Sequence, residues 1–190
     1  MPVTKVQEEA LLDQLGDVFR RYGYEGASLS RLSEATGLQR ASLYHRFPGG
    51  KEEMARAVLN RTVGWVVEKI LQPLGGPGTP RERLVAMAQR LDELYDGGCS
   101  SCLLDVFSLG GRGHAFENEV DGSLQRWIET LAAVAREAGV GPDEARRRAE
   151  DVLIRIQGSL VVSRGLRDTS PFQRTMEDLH RTLLPELDDA

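Results

Sequence analysis

Gln39-Arg40-Ala41-Ser42-Leu43-Tyr44-His45 sets long hydrogen-bond donors, one small residue and three further polar side chains around a single leucine. If these residues start a helix, Gln39 and Arg40 can reach the edges of bases in a nucleic-acid groove. Ala41 leaves room for close approach or touches a thymine methyl group. Ser42, Tyr44 and His45 can bond phosphate oxygens, which fixes register without reading sequence. Lys51 opens the next helix, where free N–H groups and the helix dipole also favour a phosphate.

The flanking residues predict the elements that would hold this set. A helix is expected over 29–36 with Ser28 as its N-cap, followed by Gly37 in a left-handed turn. A second runs from Arg40 to Phe47 and stops at Pro48-Gly49-Gly50. Two short helices meeting through a tight turn have the geometry of a helix-turn-helix, whose second helix enters the major groove. Leu32, Ala35, Leu38, Leu43 and Phe47 form the expected buried side. They face Phe19 and Tyr22 of a preceding amphipathic helix, on which Leu11, Leu15, Val18 and Tyr22 recur at intervals of four, three and four. Gly23 and Gly26 close that helix.

Helical spacing continues along the rest of the chain. Further helices are expected over about 51–71, 81–95, 102–109, 115–138, 142–166 and 171–187. Gln72 to Pro80 is the strongest breaker segment, a loop within one folded unit, and Pro142 and Pro171 stand where first-turn prolines are tolerated. Strand patterns are nearly absent. The expected fold is all-α with about nine helices: a three-helix head over residues 1–50 and a helical body over 51–190.

Composition narrows the function classes. The 190 residues are 41% hydrophobic and 28% charged, a globular balance. No apolar run approaches the roughly 20 residues that span a bilayer, and the charged start MPVTKVQEEALL does not read as a secretion signal. A cytoplasmic protein without a membrane partner is expected. The net charge of −5 hides an asymmetry. From Arg31 to Lys51 there are four basic residues and one acid, whereas the segment beyond residue 61 is acidic. A basic stripe on an acidic body suits a polyanion-binding end and a different task for the remainder.

The string G-Y-E-G-A-S-L…G-L-Q-R-A-S-L-Y-H-R-F-P-G-G-K-E-E, within residues 8 to 60, resembles the N-terminal domain of TetR-type transcriptional regulators. Its core is Leu43, Tyr44, His45, Phe47 and Lys51, and Phe47-Pro48-Gly49-Gly50-Lys51-Glu52-Glu53 resembles the LmrA/YxaF-like branch. The resemblance implies a homodimeric regulator, most simply a repressor, that binds a pseudo-palindromic double-stranded DNA operator and is released by a small-molecule effector. Ala27 and Gln39 stand where the family more often has hydroxyl residues, and Ser28 can partly substitute for the lost backbone contact. Ser30-Arg31 replaces a common Arg-Asp pair.

The resemblance also implies dimerisation and ligand binding in the body. Two stripes could pair with those of a second subunit: Leu153, Ile156 and Leu160 on one helix, and Phe172, Met176, Leu179 and Leu183 on the last. Trp65, Met87, Leu91, Tyr95, Phe107, Phe116, Trp127 and Gln157 could line a cavity for an apolar or aromatic effector, although each type is also ordinary core. Cys102 belongs to a Gly98-to-Leu104 run similar to one in several such ligand domains. It is read as a small buried residue or, alternatively, as an oxidant or electrophile sensor.

Enzymatic readings find less support. Glu177-x-x-His180 is a single half of a helical metal motif, Cys99-x-x-Cys102 lacks partner ligands, with His114 alone, and Gly110-Gly111-Arg112-Gly113 matches no phosphate loop. No cofactor and no metal are expected, and catalytic residues are not assigned. A ligand-binding protein with a DNA-silent head is the remaining alternative.

Overall fold

The computed structural model describes residues 5–109 and 115–184. The glycine-rich run at 110–113, His114 and the expected extension of the last helix to Leu187 lie outside them. The described residues form nine helices of six residues or more and no strand. These are α1 (Lys5–Gly26), α2 (Leu29–Thr36), α3 (Arg40–Arg46), α4 (Gly50–Val66), α5 (Pro80–Leu94), α6 (Leu103–Ser108), α7 (Glu117–Glu137), α8 (Pro142–Leu166) and α9 (Ser170–Leu183).

The boundaries follow local chemistry. The Ser28 hydroxyl accepts from the Arg31 N–H at 3.3 Å and opens α2, which Gly37 ends at φ 65°. A side chain at that left-handed position would crowd the backbone. α3 stops one residue short of the expected Phe47, which adopts φ −127° and ψ 79°. Pro48 is the cause, since its ring excludes the helical region for the residue before it. Thr79 and Glu82 make a capping box at the start of α5, and those hydrogen bonds hold the Glu82 carboxyl below its ordinary range. α4 runs on through a widened π turn, Val67–Leu71, to its expected end, and a last turn, Gln72–Leu74, extends it into the expected breaker segment. Pro73 follows directly. It has no N–H, and its ring would strike the carbonyl four residues back in a regular α-helix, so a widened turn suits the position.

The described residues fall into two compact units, one within Met1–Gly64 and Leu103–Val120, the other within Trp65–Cys102 and Asp121–Ala190. In the first, Leu11, Leu15, Val18, Phe19, Leu32, Leu43, Met54 and Val58 are buried. Phe107 and Phe116 join them. Phe19 and Phe107 meet edge to face at 5.5 Å, Phe107 and Phe116 stand 4.8 Å apart, and Tyr24 meets Phe116 edge-on at 5.0 Å. Arg56 donates to the Ala115 carbonyl at 2.9 Å and pairs with Glu119.

Two members of the expected buried side lie at the surface. Ala35 is exposed, and Tyr22 is 38% exposed. α1 kinks at Gly23 (φ 70°, ψ 171°), so its regular period ends one residue after Tyr22. The apolar stripe is taken up by Tyr24, which stacks on Phe19 at 6.2 Å. Leu38 and Phe47 are half-buried.

In the second unit α5, α8 and α9 share a core of Leu84, Met87, Leu91, Val152, Ile156, Leu160, Phe172, Met176, Leu179 and Leu183. Buried Arg83 donates to the carbonyls of Leu74 (2.8 Å) and Gly76 (3.2 Å) and pairs with Glu137 (2.5 Å). It thereby fastens the breaker segment to α7. After α5 the chain turns sharply through Asp96–Gly98. The Gln173 amide holds this turn by donating to the Gly97 carbonyl (3.0 Å) and to Asp92 (2.9 Å).

Gly98 has φ 99°, and a Cβ there would lie 2.8 Å from the Cβ of Phe172 and 2.9 Å from its ring. Gly98→Ala combines left-handed strain with an overpacked core and should cost about 2–4 kcal/mol. Gly122 stands within α7, with open space where a methyl group would project. Gly122→Ala should therefore raise stability by about 0.5–1 kcal/mol. Urea unfolding of both variants checks the pair; equal and small effects would contradict this account of the Asp96–Gly98 turn.

Candidate nucleic-acid interface

α3 is held from below and open above. Leu32 of α2 and Leu43 of α3 are fully buried, one on each side of the Gly37 turn. The Ser33 hydroxyl donates to the Leu38 carbonyl at 2.5 Å and the Thr36 hydroxyl accepts from the Leu38 N–H at 3.4 Å, which closes the turn. Both backbone groups of Leu38 are satisfied locally.

With Leu43 pointing inward, Gln39, Arg40, Ala41, Ser42, Tyr44 and His45 are all exposed, Tyr44 by 45%. Gln39 is the N-cap of α3, but its side chain makes no capping bond, so its amide remains available to a partner. Ser28 spends its acceptor on the α2 cap, and a hydroxyl in that role still has its O–H to donate. The ring of Tyr44 lies against Gly50, where a Cβ would approach it to 3.2 Å. Arg40 is not loose: its Nη2 donates to the Ser30 hydroxyl at 2.5 Å. Sequence reading missed Ser30, because a contact across the turn between residues ten apart leaves no periodic signal.

Lys51 is placed differently from a free phosphate ligand. It is half-buried, its ammonium donates to the Tyr24 carbonyl at 3.0 Å and lies 4.2 Å from the Tyr24 ring centroid, and Glu25 stands 3.8 Å away. Burial, followed by the nearby Glu52 and Glu25 carboxylates, pushes the Tyr24 phenol up from its ordinary value. Arg31 is likewise engaged. It donates to the Gly26 carbonyl at 2.6 Å and stacks 4.3 Å over Tyr22.

The residues expected to line an effector cavity divide between the units. Met87, Leu91, Tyr95, Cys102 and Trp127 are buried in the second unit, where Trp65 and Gln157 are half-buried. Phe107 and Phe116 belong to the aromatic cluster of the first unit and line a cavity of about 420 Å³ there with Tyr22, Tyr24 and Leu109. Cys99 and Cys102 are free thiols, the first exposed. Glu177 and His180 line a groove of about 540 Å³ between α5 and α9, with Leu84, Ala88, Asp92 and Met176.

Of the expected dimer residues, Ile156, Leu160, Phe172, Met176, Leu179 and Leu183 are buried within the single chain, and Leu153 is half-buried. The apolar side chains that α8 exposes are Ile154 (66%), Val161, Val162 and Leu166 (65%). The expected stripe is the helix's inward face.

Residues 11–58 match the family of bacterial regulatory proteins, tetR family, and residues 80–178 match the C-terminal domain of LmrA/YxaF-like transcriptional regulators. The HTH-type transcriptional regulator LmrA of Bacillus subtilis is 23% identical over 172 residues, 86% of this chain and 89% of that protein. Among solved structures, a TetR transcriptional regulator from Legionella pneumophila superposes with a TM-score of 0.82 at 18% identity, covering 96% of this chain and 99% of that one. A cysteine mutant of the TetR-family regulator CifR, complexed with 26-bp double-strand operator DNA, superposes with a TM-score of 0.72 at 23% identity, covering 96% and 97%. The helix-turn-helix geometry and both family matches lead to one conclusion: this chain belongs to the TetR family of transcriptional regulators, with a DNA-binding head and an LmrA/YxaF-like C-terminal domain.

Proposed function

We propose that the chain acts as a homodimeric repressor whose two α3 helices enter successive major grooves of a pseudo-palindromic operator, and that a small apolar or aromatic effector releases it. One observation carries this reading: six polar or small residues of the Gln39–His45 stretch are exposed together while Leu43, in their midst, is buried. Gln39 and Arg40 read base edges, Ala41 allows close approach, and Ser28, Ser42, Tyr44 and His45 hold the phosphate backbone. Lys51 contributes by bracing the α1 end rather than as a free cation. The operator complex of CifR supports the DNA partner.

A single short helix reads too few bases for specificity, and two-fold symmetry supplies a second half-site about 34–36 Å away or at a multiple of that distance. The surface for a second copy is the outward face of α8. Ile154, Gly158, Val161 and Gly165 follow one another at helical spacing, flanked by Val162 and Leu166, and a Cβ at either glycine would meet nothing within 4 Å. Small residues between exposed apolar ones let another helix approach closely. The effector would be held in the second unit by Met87, Leu91, Tyr95 and Trp127. By binding better to the conformation in which the two heads are wrongly spaced, it shifts the population away from the operator-bound state.

Mobility-shift titrations on the DNA flanking the protein's own gene test the whole reading; absence of any sequence-preferring complex would overturn it. Arg40→Ala should remove about 1–3 kcal/mol of discrimination at one base pair per half-site, read as the ratio of dissociation constants for matched and mismatched duplexes. The double variant Ile154→Glu, Leu166→Glu should sediment as a folded monomer of about 21.0 kDa, where the unaltered protein sediments at twice that mass. A variant that stays dimeric moves the interface elsewhere.

A further inference from the structure

We propose that Ser30 is a positioning residue for DNA reading: its hydroxyl holds the Arg40 guanidinium in the orientation from which it meets a base edge. This rests on the reading that α3 enters the major groove. The contact joins the first turn of α2 to the first residue of α3, with Arg40 Nη2 donating to Ser30 Oγ at 2.5 Å, and both residues are exposed.

Ser30 is a suitable anchor because its own turn is fixed from three sides. Ser28 caps it through the Arg31 N–H. Arg31 ties it to the end of α1 through the Gly26 carbonyl at 2.6 Å. The Arg31 guanidinium also stacks 4.3 Å over Tyr22. A serine side chain has one rotatable heavy-atom bond, so little freedom enters between that turn and the arginine. An exposed arginine on the first turn of an unattached helix samples many rotamers and loses them on binding.

The hydrogen bond leaves the arginine competent. A guanidinium carries five N–H groups. One Nη2 hydrogen lies on the edge shared with Nη1, the other on the edge shared with Nε. Whichever of them Ser30 takes, the other edge keeps two parallel N–H groups, the arrangement that reads guanine O6 and N7. Ser30 thus restricts direction without consuming the reading edge. The sequence departs from the common family pattern at this point, with Ser30-Arg31 in place of an Arg-Asp pair, and the two residues work here as anchor and tether.

The test uses the full-length protein and a pool of randomised duplexes. Selection with wild type and with Arg40→Ala identifies the base position that Arg40 reads. Dissociation constants for the selected site and its single-base variants are then measured for Ser30→Ala and Ser30→Thr. Ser30→Ala should reduce discrimination at that position by about threefold to tenfold. Its affinity for non-specific duplex, its salt dependence and its thermal unfolding should stay as in wild type. Ser30→Thr, which restores the hydroxyl, should keep wild-type discrimination. Discrimination in Ser30→Ala within twofold of wild type, or higher, overturns the proposal, as does a folded Ser30→Thr variant that behaves like Ser30→Ala. If wild type selects no sequence, or if Arg40→Ala leaves every base preference intact, the DNA-reading assignment falls as well. If Arg40→Ala loses a preference that Ser30→Ala retains, only the role of Ser30 is refuted.

Discussion

The burial of Leu32 and Leu43, one on each helix beside the Gly37 turn, is the constraint from which the recognition surface follows. α3 has seven residues, too few to be stable alone, so its orientation comes from what it buries. One fully buried side chain in its middle fixes its rotation about its own axis. The polar side chains on either side of Leu43 then have only the outward direction. The same burial sets the closeness of α2 and α3, which brings Ser30 within hydrogen-bond reach of Arg40. The Gly37 turn makes this approach possible, and the Ser33 and Thr36 hydroxyls, bonded to the Leu38 carbonyl and N–H, keep it from opening.

Much of this was legible in the sequence because helix ends are written in local chemistry. Ser28, Gly37, Pro80, Pro142 and Pro171 each mark a boundary within a residue of where it lies. The outward set on α3 was legible for a related reason, since a lone leucine among polar residues leaves little choice of buried face. What failed depended on a change of period or on a partner distant in sequence. Tyr22 fits the stripe of α1 by spacing, but the Gly23 kink resets the spacing and hands its place to Tyr24. The widened turn before Pro73 and the inward-turned Lys51 ammonium belong to the same class.

α8 shows a different limit. Its inward face carries Val152, Ile156 and Leu160, and its outward face carries Ile154, Val161, Val162 and Leu166. Periodicity finds an apolar stripe wherever apolar residues are dense, and here they are dense on two sides. The sequence alone therefore favours the longer inward stripe as the contact face. With α9 packed on that side, the remainder is the side that the chain itself leaves uncovered. An exposed run of apolar side chains on one helix face is the kind of surface on which a partner is to be sought, and it is the side that bears on the proposed pairing.

The charge of the head bears on how such a protein gains specificity. Several of its cations are already engaged: Arg31 on Gly26 and Tyr22, Lys51 on Tyr24, Arg56 on Ala115 and Glu119, and Arg61 on Asp13. A cation paired with a carboxylate releases fewer counterions from DNA than a free one, and one held in place by a carbonyl or a ring must leave it to reach a phosphate, which lowers the sequence-independent part of the affinity. The whole chain's charge of −5 works in the same direction by repelling phosphate at long range. A larger share of the binding free energy must then come from directional contacts to bases. Directional contacts depend on orientation more than on charge, and an arginine fixed by a neighbouring hydroxyl is worth most where few free cations assist it.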